Sequence, residues 1–234
     1  MKGQLGSPAS VMPVTGIWSP SARGQAIAAL GLAATPRILE ILTKTREYAN
    51  DNERDALFVA LALLRDARAT LPLVAFLADG YPEPVKEQAA SALGRIADSR
   101  GVDVLSVTLR NPAAPVQLRG ACALAIGQIR DPRGLEPLLE VFSNENTSNV
   151  LKQQALLGIG SMGDIRASAP LTARLDQEQN TQNVKQILSA LESVGDTKSL
   201  RVVASVANQD PDESVRERAT EAYHAIAERL HIPH

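Results

Sequence analysis

Residues 85–109 read VKEQAASALGRIADSRGVDVLSVTL, and they indicate the fold because their pattern returns twice further along the chain. Residues 118–142 read LRGACALAIGQIRDPRGLEPLLEVF, and residues 151–175 read LKQQALLGIGSMGDIRASAPLTARL. One ungapped frame fits all three stretches: apolar, basic, then A-x-x-A-L-G-x-I-x-D-x-R, then a second apolar run. A unit of this length is too short to form a domain alone, so neighbouring units must stack to bury their apolar faces.

The same frame extends over the chain at a nearly constant period. The glycine of the A-L-G triplet has one equivalent in each unit, and successive equivalents are 31 to 33 residues apart. The seven positions are Gly31, Ala62, Gly94, Gly127, Gly160, Glu192 and His224. The period predicts an all-α solenoid of about seven repeats, the last of which has a first helix only. We expect this solenoid to span residues 21–234 as a single domain.

Each unit is predicted to be a pair of helices. Apolar or small residues recur at helical spacing in the first half, as at Val85, Ala89 and Ile96. We expect the recurrent Ala and Gly residues to lie where the two helices of a pair cross, since small side chains permit close approach. A triplet of the type Asp98-Ser-Arg100 separates the halves, and its Asp predicts an N-cap for the second helix. Equivalent triplets begin at Thr35, Asp66, Asp131, Asp164 and Asp196.

Composition narrows the classes of protein. The chain has 44% hydrophobic residues but only 3% aromatics, which favours close-packed helices of Ala and Leu over a β-sandwich. The formal net charge of -2 gives no sign of the basic excess typical of nucleic-acid binders. No apolar run approaches the length of a membrane span. The single cysteine, Cys122, excludes an intrachain disulfide and suits a reducing compartment, so a cytoplasmic protein is expected.

Residues 1–20 are rich in Gly, Ser and Pro and lack the apolar core of a signal peptide. They are predicted to be a flexible N-terminal segment: a lead-in, a cloning remnant or a piece of a longer chain. Trp18, the only tryptophan, would either cover the apolar end of the first repeat or dock a partner.

The pattern A-L-G-x-I-x-D-x-R resembles the HEAT-like repeats of the phycobilisome-lyase type, which are widespread in bacterial proteins. The resemblance is strongest in residues 90–100, ASALGRIADSR, and residues 123–133, ALAIGQIRDPR, and it covers roughly residues 21–230. It implies a superhelix in which the second helices of successive repeats line a concave face. It also implies that proteins or peptides dock on that face.

A basic residue recurs once per repeat and forms the leading candidate site. The row consists of Arg37, Arg68, Arg100, Arg133, Arg166 and Lys198. One interpretation is a basic ridge for an acidic peptide or a carboxylate ligand. The other is that each residue pairs with an Asp of its own or the adjacent unit and ties the repeats together.

Other candidates have simpler explanations. Residues 158–163, GIGSMG, match G-x-G-x-x-G, but a dinucleotide site would need a preceding strand. His224, His231 and His234 form a metal site only with ligands that no motif supplies. Cys122 is either a small core residue or a reactive thiol. No catalytic motif and no cofactor is predicted.

These patterns together predict a non-catalytic scaffold that presents a concave helical surface to another protein, without nucleic acid and without membrane insertion. One alternative is a bilin lyase-like subunit or chaperone acting on a tetrapyrrole-bearing protein, which the resemblance suggests. A HEAT-like DNA glycosylase is the other alternative, against which stand the charge and the low aromatic content.

Overall fold

The computed structural model describes residues 19–44, 51–78 and 80–232, and within these ranges every regular element is helical. Predictions for residues 1–18, including Trp18, and for His234 lie outside the described residues. The helices are α1 Pro20–Ala28, α2 Thr35–Lys44, α3 Asp51–Leu64, α4 Thr70–Ala75, α5 Glu83–Ile96, α6 Val102–Arg110, α7 Val116–Ile129, α8 Leu135–Ser143, α9 Asn149–Met162, α10 Ser168–Leu175, α11 Thr181–Val194, α12 Thr197–Gln209 and α13 Glu213–Arg229. The predicted all-α class is confirmed.

The helices follow one another as pairs, α1 with α2 through α11 with α12, and α13 closes the series. A short 3-10 turn joins the two helices in each of the first five pairs. These turns are Leu32–Ala34, Ala67–Ala69, Ser99–Gly101, Pro132–Gly134 and Ile165–Ala167. The Asp before each of the last four turns caps it, as where the Asp98 carboxylate accepts from the N–H of Arg100. The predicted caps at Asp66, Asp98, Asp131 and Asp164 therefore exist, but each caps the 3-10 turn that precedes the second helix rather than the second helix itself.

First helices stack on first helices, and one apolar core runs through the stack. On α7, Leu118, Cys122 and Ile126 are fully buried between α5 and α9. The second helices cover the other side of this core, as with Leu105 on α6 and Leu138 on α8. Because each layer touches only its neighbours, the fold is a repetitive stack rather than a closed globule.

The small residues have a different place from the one predicted. A Cβ atom on Gly94 would lie 2.7 Å from the Cα of Ala125, and one on Gly127 would collide with the carbonyl of Gly158. Both contacts join first helices of successive repeats, α5 to α7 and α7 to α9. For these two glycines the prediction of a place at the crossing within a pair is wrong, because their contacts join successive repeats.

The register of the first repeat also differs from the prediction. Gly94 lies inside α5, four residues before the cap Asp98, whereas α1 already ends at Ala28. Gly31, with φ 75°, lies directly before the 3-10 turn, at the place that Asp98 has in its own repeat. The frame through Gly31 and the triplet at Thr35 are therefore displaced by four residues. The motif Leu-Gly-Leu at this point imitates the A-L-G triplet without its helical context.

First and second helices are packed differently along the stack. First helices of successive repeats contact each other extensively, as α5 does α7 and α7 does α9, whereas α6 and α8 make few contacts. Layers that are closer together at one edge curve toward that edge. This difference indicates that the first helices, and not the second helices as expected, line the concave face.

Within the described residues, no single helix is both long and apolar enough to cross a membrane. The helices Pro20–Ala28 and Leu32–Lys44 meet such a criterion only when taken together, and they are bent by 104° at their junction.

Candidate functional site

Four of the six predicted basic residues make one recurring set of hydrogen bonds. In Arg100, Nε donates to the Asp98 carboxylate and Nη2 donates both to Asp98 and to the carbonyl oxygen of Ala67, at 2.7 Å, in the preceding repeat. Arg68, Arg133 and Arg166 bind their own Asp residues and the carbonyls of Leu32, Ser99 and Pro132 in the same way. We call these four residues the arginine ladder. Through these hydrogen bonds, each arginine of the ladder links its own 3-10 turn to the turn of the preceding repeat.

Each arginine of the ladder has an aspartate of its own turn as its counter-ion. The hydrogen bond from Arg100 holds the pKa of Asp98 at about 2, and Arg68 does the same for Asp66. Thr70 Oγ1 also donates to Asp98, at 3.0 Å, from the preceding repeat. Because each guanidinium faces an ionised carboxylate, this geometry supports the inter-repeat tie rather than the free basic ridge.

Arg37 and Lys198 do not continue the ladder. Arg37 Nη1 pairs with Glu40 Oε2 at 2.6 Å, one turn further along its own helix α2. Lys198 donates its backbone N–H to Asp196, which caps α12 directly without a 3-10 turn. Both departures occur in the outer pairs, where the repeat pattern is weakest.

The other predicted candidates are the G-x-G-x-x-G match, the histidines and Cys122. Gly158 and Gly160 lie within α9, and Gly163 ends it at φ 70°, so the G-x-G-x-x-G match lies at a helix end with no strand among the described elements. No group of three potential metal ligands occurs within the described ranges, where His224 is exposed on α13. Cys122 is buried, and burial raises its thiol pKa to about 12, which supports the core interpretation.

Sequence reasoning missed the exposed face of the first helices. In α5, α7 and α9, four positions per helix at helical spacing remain partly or fully exposed. In order, they are Pro84, Gln88, Ser91 and Arg95; Gln117, Ala121, Leu124 and Gln128; Val150, Gln154, Leu157 and Ser161. We call these residues and the corresponding face of α3 and α11 the first-helix face. Equivalent positions are 33 residues apart, and no position keeps the same side chain in all three helices, which is the signal that could have identified them.

Three grooves run along this face. One, of about 470 Å³, lies between α9 and α11 and is lined by Leu157, Gln186 and Ser189, among others. A second, of about 260 Å³, lies between α5 and α7 around Gln88 and Leu124. A third, of about 660 Å³, crosses the C-terminal ends of α3, α5 and α7. Grooves between the first helices agree with their position on the inner side of the curve.

The first-helix face presents polar hydrogen-bonding groups and an exposed apolar side chain. Gln and Ser side chains dominate it, and Leu157 is 56% exposed in their midst. A carboxamide both donates and accepts hydrogen bonds, so it can pair with a peptide backbone in either sense. An exposed leucine beside such groups supplies apolar area for a partner.

Comparison with known proteins gives one family. The family model described as HEAT repeats matches residues 70–156 and, in an overlapping alignment, residues 102–191, together more than half of the chain. No curated protein sequence has a significant match to this one.

Solved structures are similar in fold only. A crystal structure of importin beta aligns with a TM-score of 0.63 at 16% identity, over 89% of this chain and 34% of that one. This chain thus spans about a third of that importin chain. Human deoxyhypusine hydroxylase aligns at 15% identity over 88% of this chain and 97% of that one, with a TM-score of only 0.37.

Proposed function

Because the chain belongs to the HEAT-repeat family, we propose that it is a non-catalytic scaffold that binds another protein along its first-helix face. The observation that carries this proposal is the continuity of that face over successive repeats. Its exposed positions share one register, while no position keeps the same side chain in all three of α5, α7 and α9. Residues that stabilise the repeat recur in every unit, whereas residues that contact a specific partner differ between units.

The chemistry of the face fits a polypeptide. The groove between α9 and α11 combines Leu157 and Ser189 with two basic side chains, Lys185 and Arg218. Hydrogen-bonding groups around an apolar patch match a peptide chain with an apolar anchor. The arginine ladder lies on the 3-10 turns, and its guanidinium groups are occupied by Asp98 and its equivalents. We assign the ladder to the framework.

A site-specific photo-crosslinker tests the proposal. Benzoylphenylalanine at Leu157 places the probe in the groove, and the same residue at Val107 places it on α6, where the side chain is 68% exposed. In a lysate of the source organism, irradiation is expected to give a discrete protein adduct from position 157. Position 107 is the matched control on the outer side of the curve.

Two results would contradict the proposal. One is the absence of any protein adduct from position 157 or from a second probe at Leu124. The other is an equal set of adducts from positions 107 and 157, which would indicate adhesion without a preferred face. Replacing Ser189 with Arg fills the groove and is expected to abolish the adduct at 157.

We also propose more specific assignments of the repeat type, the cellular location, the domain boundary and the class of partner. The A-L-G-x-I-x-D-x-R pattern supports membership in the phycobilisome-lyase type of repeat, and the single cysteine supports a cytoplasmic location. The division at residue 20 and the expectation that the partner is not a nucleic acid also stay predictions. The bilin-lyase and DNA-glycosylase alternatives gain no specific support from the described residues or from the matches.

A further inference from the structure

Three arginines outside the ladder converge on one groove. The groove across the C-terminal ends of α3, α5 and α7 is lined by Arg65, Arg95 and Arg130, together with Gln128 and Ser161. No acidic side chain is part of its lining. Within the described residues, none of the three arginines takes part in an ion pair, in contrast to the ladder arginines.

Backbone geometry holds two of these side chains in place. Arg65 and Arg130 follow the last residues of α3 and α7 in the left-handed conformation, with φ 52° and 58°. Arg65 Nε donates to the carbonyl of Arg95 at 2.8 Å, and Arg130 Nε donates to the carbonyl of Ser161 at 2.9 Å. Each guanidinium is thereby anchored on the next repeat while its other nitrogens remain without a carboxylate partner.

The concentration of positive charge is local. The chain as a whole has a formal net charge of -2, so the groove differs in sign from the total. Like charges collected in a concave site repel one another, and an anion entering the site relieves that repulsion. Guanidinium groups pair with carboxylates through charge-assisted and often bidentate hydrogen bonds.

We infer that Arg65, Arg95 and Arg130 form an anion-binding subsite of the first-helix face, and that it takes an acidic segment of an extended polypeptide. The inference rests on the proposed protein-binding function and adds the chemistry of the partner. The three residues belong to three successive repeats, so two inter-helix spacings of roughly 8–10 Å separate the outer pair. An extended chain covers such a distance with about six residues.

The adjoining residues favour a polypeptide over a nucleic acid. Single-stranded nucleic acids are held by aromatic side chains on which the bases stack, and the lining residues of all three grooves include no aromatic side chain. Gln128 lies in the same groove and also lines the neighbouring one, where its carboxamide can pair with a peptide backbone.

Fluorescence anisotropy with defined peptides tests the inference. The probe is a fluorescein-labelled peptide of twelve alternating Glu and Ser residues, and its matched control replaces each Glu with Gln. The wild-type protein is expected to bind the Glu peptide at least about tenfold more tightly than the Gln peptide, with an affinity that falls as salt is raised.

Substitutions locate the binding. Arg95→Gln is expected to weaken binding of the Glu peptide about fivefold, and the triple variant R65Q/R95Q/R130Q about fiftyfold. Arg201→Gln, on the exposed side of α12, is the charge-matched control and should leave the affinity unchanged. Because Arg65 and Arg130 also bond to backbone, R65K/R130K keeps the charge should the triple variant not fold, and it should retain binding.

Three results would overturn the inference. They are equal binding of the Glu and Gln peptides, an equal loss in Arg201→Gln and Arg95→Gln, and tighter, Arg95-dependent binding of a twelve-residue oligouridylate. If the Glu peptide does not bind while the crosslink at Leu157 persists, the acidic-partner inference fails and the proposed scaffold function stands.

Discussion

At the scale of single residues, two glycines of the same repeat position experience different surroundings. Gly127 on α7 lies against the backbone of Gly158, where a Cβ atom would collide with the carbonyl group. Gly160 on α9 faces Ala190 at 3.6 Å from where its Cβ would be, which is an ordinary contact. Glycine at this repeat position is therefore sterically required on α7, whereas alanine would also fit on α9.

The two glycines should respond to alanine with opposite signs. Gly127→Ala is expected to lower the stability by about 2 kcal/mol, because backbone atoms of α9 must shift. Gly160→Ala is expected to raise it by about 0.5–1 kcal/mol, because glycine is a poor helix former. Thermal unfolding followed by circular dichroism measures both, at about 2–4 °C per kcal/mol. Equal effects of the two substitutions would show that the contact between α7 and α9 is looser than described.

At the scale of elements, the ladder explains how one helix pair is oriented on the next. Arg133 binds Asp131 in its own turn, the carbonyl of Ser99 in the preceding turn and the carboxylate of Asp103 on α6. Exposed ion pairs contribute little on their own, but a guanidinium shared between a buried cap and a backbone carbonyl couples two elements. Among the described residues, Arg37 pairs with Glu40 on its own helix α2 and is not bonded to a neighbouring repeat.

Removing one ladder arginine should therefore lower the free energy of unfolding more than removing Arg37 does. Arg133→Ala is expected to destabilise the protein by about 1–2 kcal/mol, because the Ser99 carbonyl and two carboxylates lose a charged donor. Arg37→Ala removes one exposed i, i+3 pair and is expected to cost at most about 0.5 kcal/mol. Urea unfolding of the two variants beside the wild type compares them. A larger destabilisation by Arg37→Ala than by Arg133→Ala would contradict the coupling assigned to the ladder arginines.

At the scale of the whole molecule, the capping carboxylates form a line along the stack. Hydrogen bonds from Arg68 and Arg100 hold the pKa values of Asp66 and Asp98 at about 2, and those of Asp131 and Asp164 are lowered by their own arginines. The ordinary pKa of an aspartate is 3.8, so the unfolded chain binds more protons than the folded chain between these values. Folded-state stability from these groups is complete above about pH 4 and is lost as the pH falls toward 2.

The melting temperature is therefore expected to drop between pH 4 and pH 2. The double variant D66N/D98N should be less stable than the wild type at neutral pH, because Asn keeps the cap but loses the ion pair. It should also lose less stability on acidification, because two of the titrating groups are gone. Asp176→Asn, at the exposed end of α10, is the control and should follow the wild type. Parallel acid profiles for D66N/D98N and the wild type would contradict the role given to these carboxylates.

From the amino-acid sequence alone, we could predict the repeat period, the division of each unit into two helices and the Asp-x-Arg caps between them. These features are local: apolar spacing defines a helix face, and an Asp caps the N–H groups that follow it within three residues. The same local signal misplaced the first repeat, since Leu-Gly-Leu around Gly31 resembles the A-L-G triplet but lies outside a helix.

The stacking of the repeats in space sets which face is concave and which arginines are neutralised. Curvature follows from the difference in spacing between the first and the second helices, which depends on contacts such as that of Gly127 with Gly158. Arg100 and Arg95 lie five residues apart, yet Arg100 binds the carboxylate of its own turn and a carbonyl of the preceding repeat, whereas Arg95 lines an open groove. Long-range stacking brings those partners together, and no pattern within a single repeat encodes it.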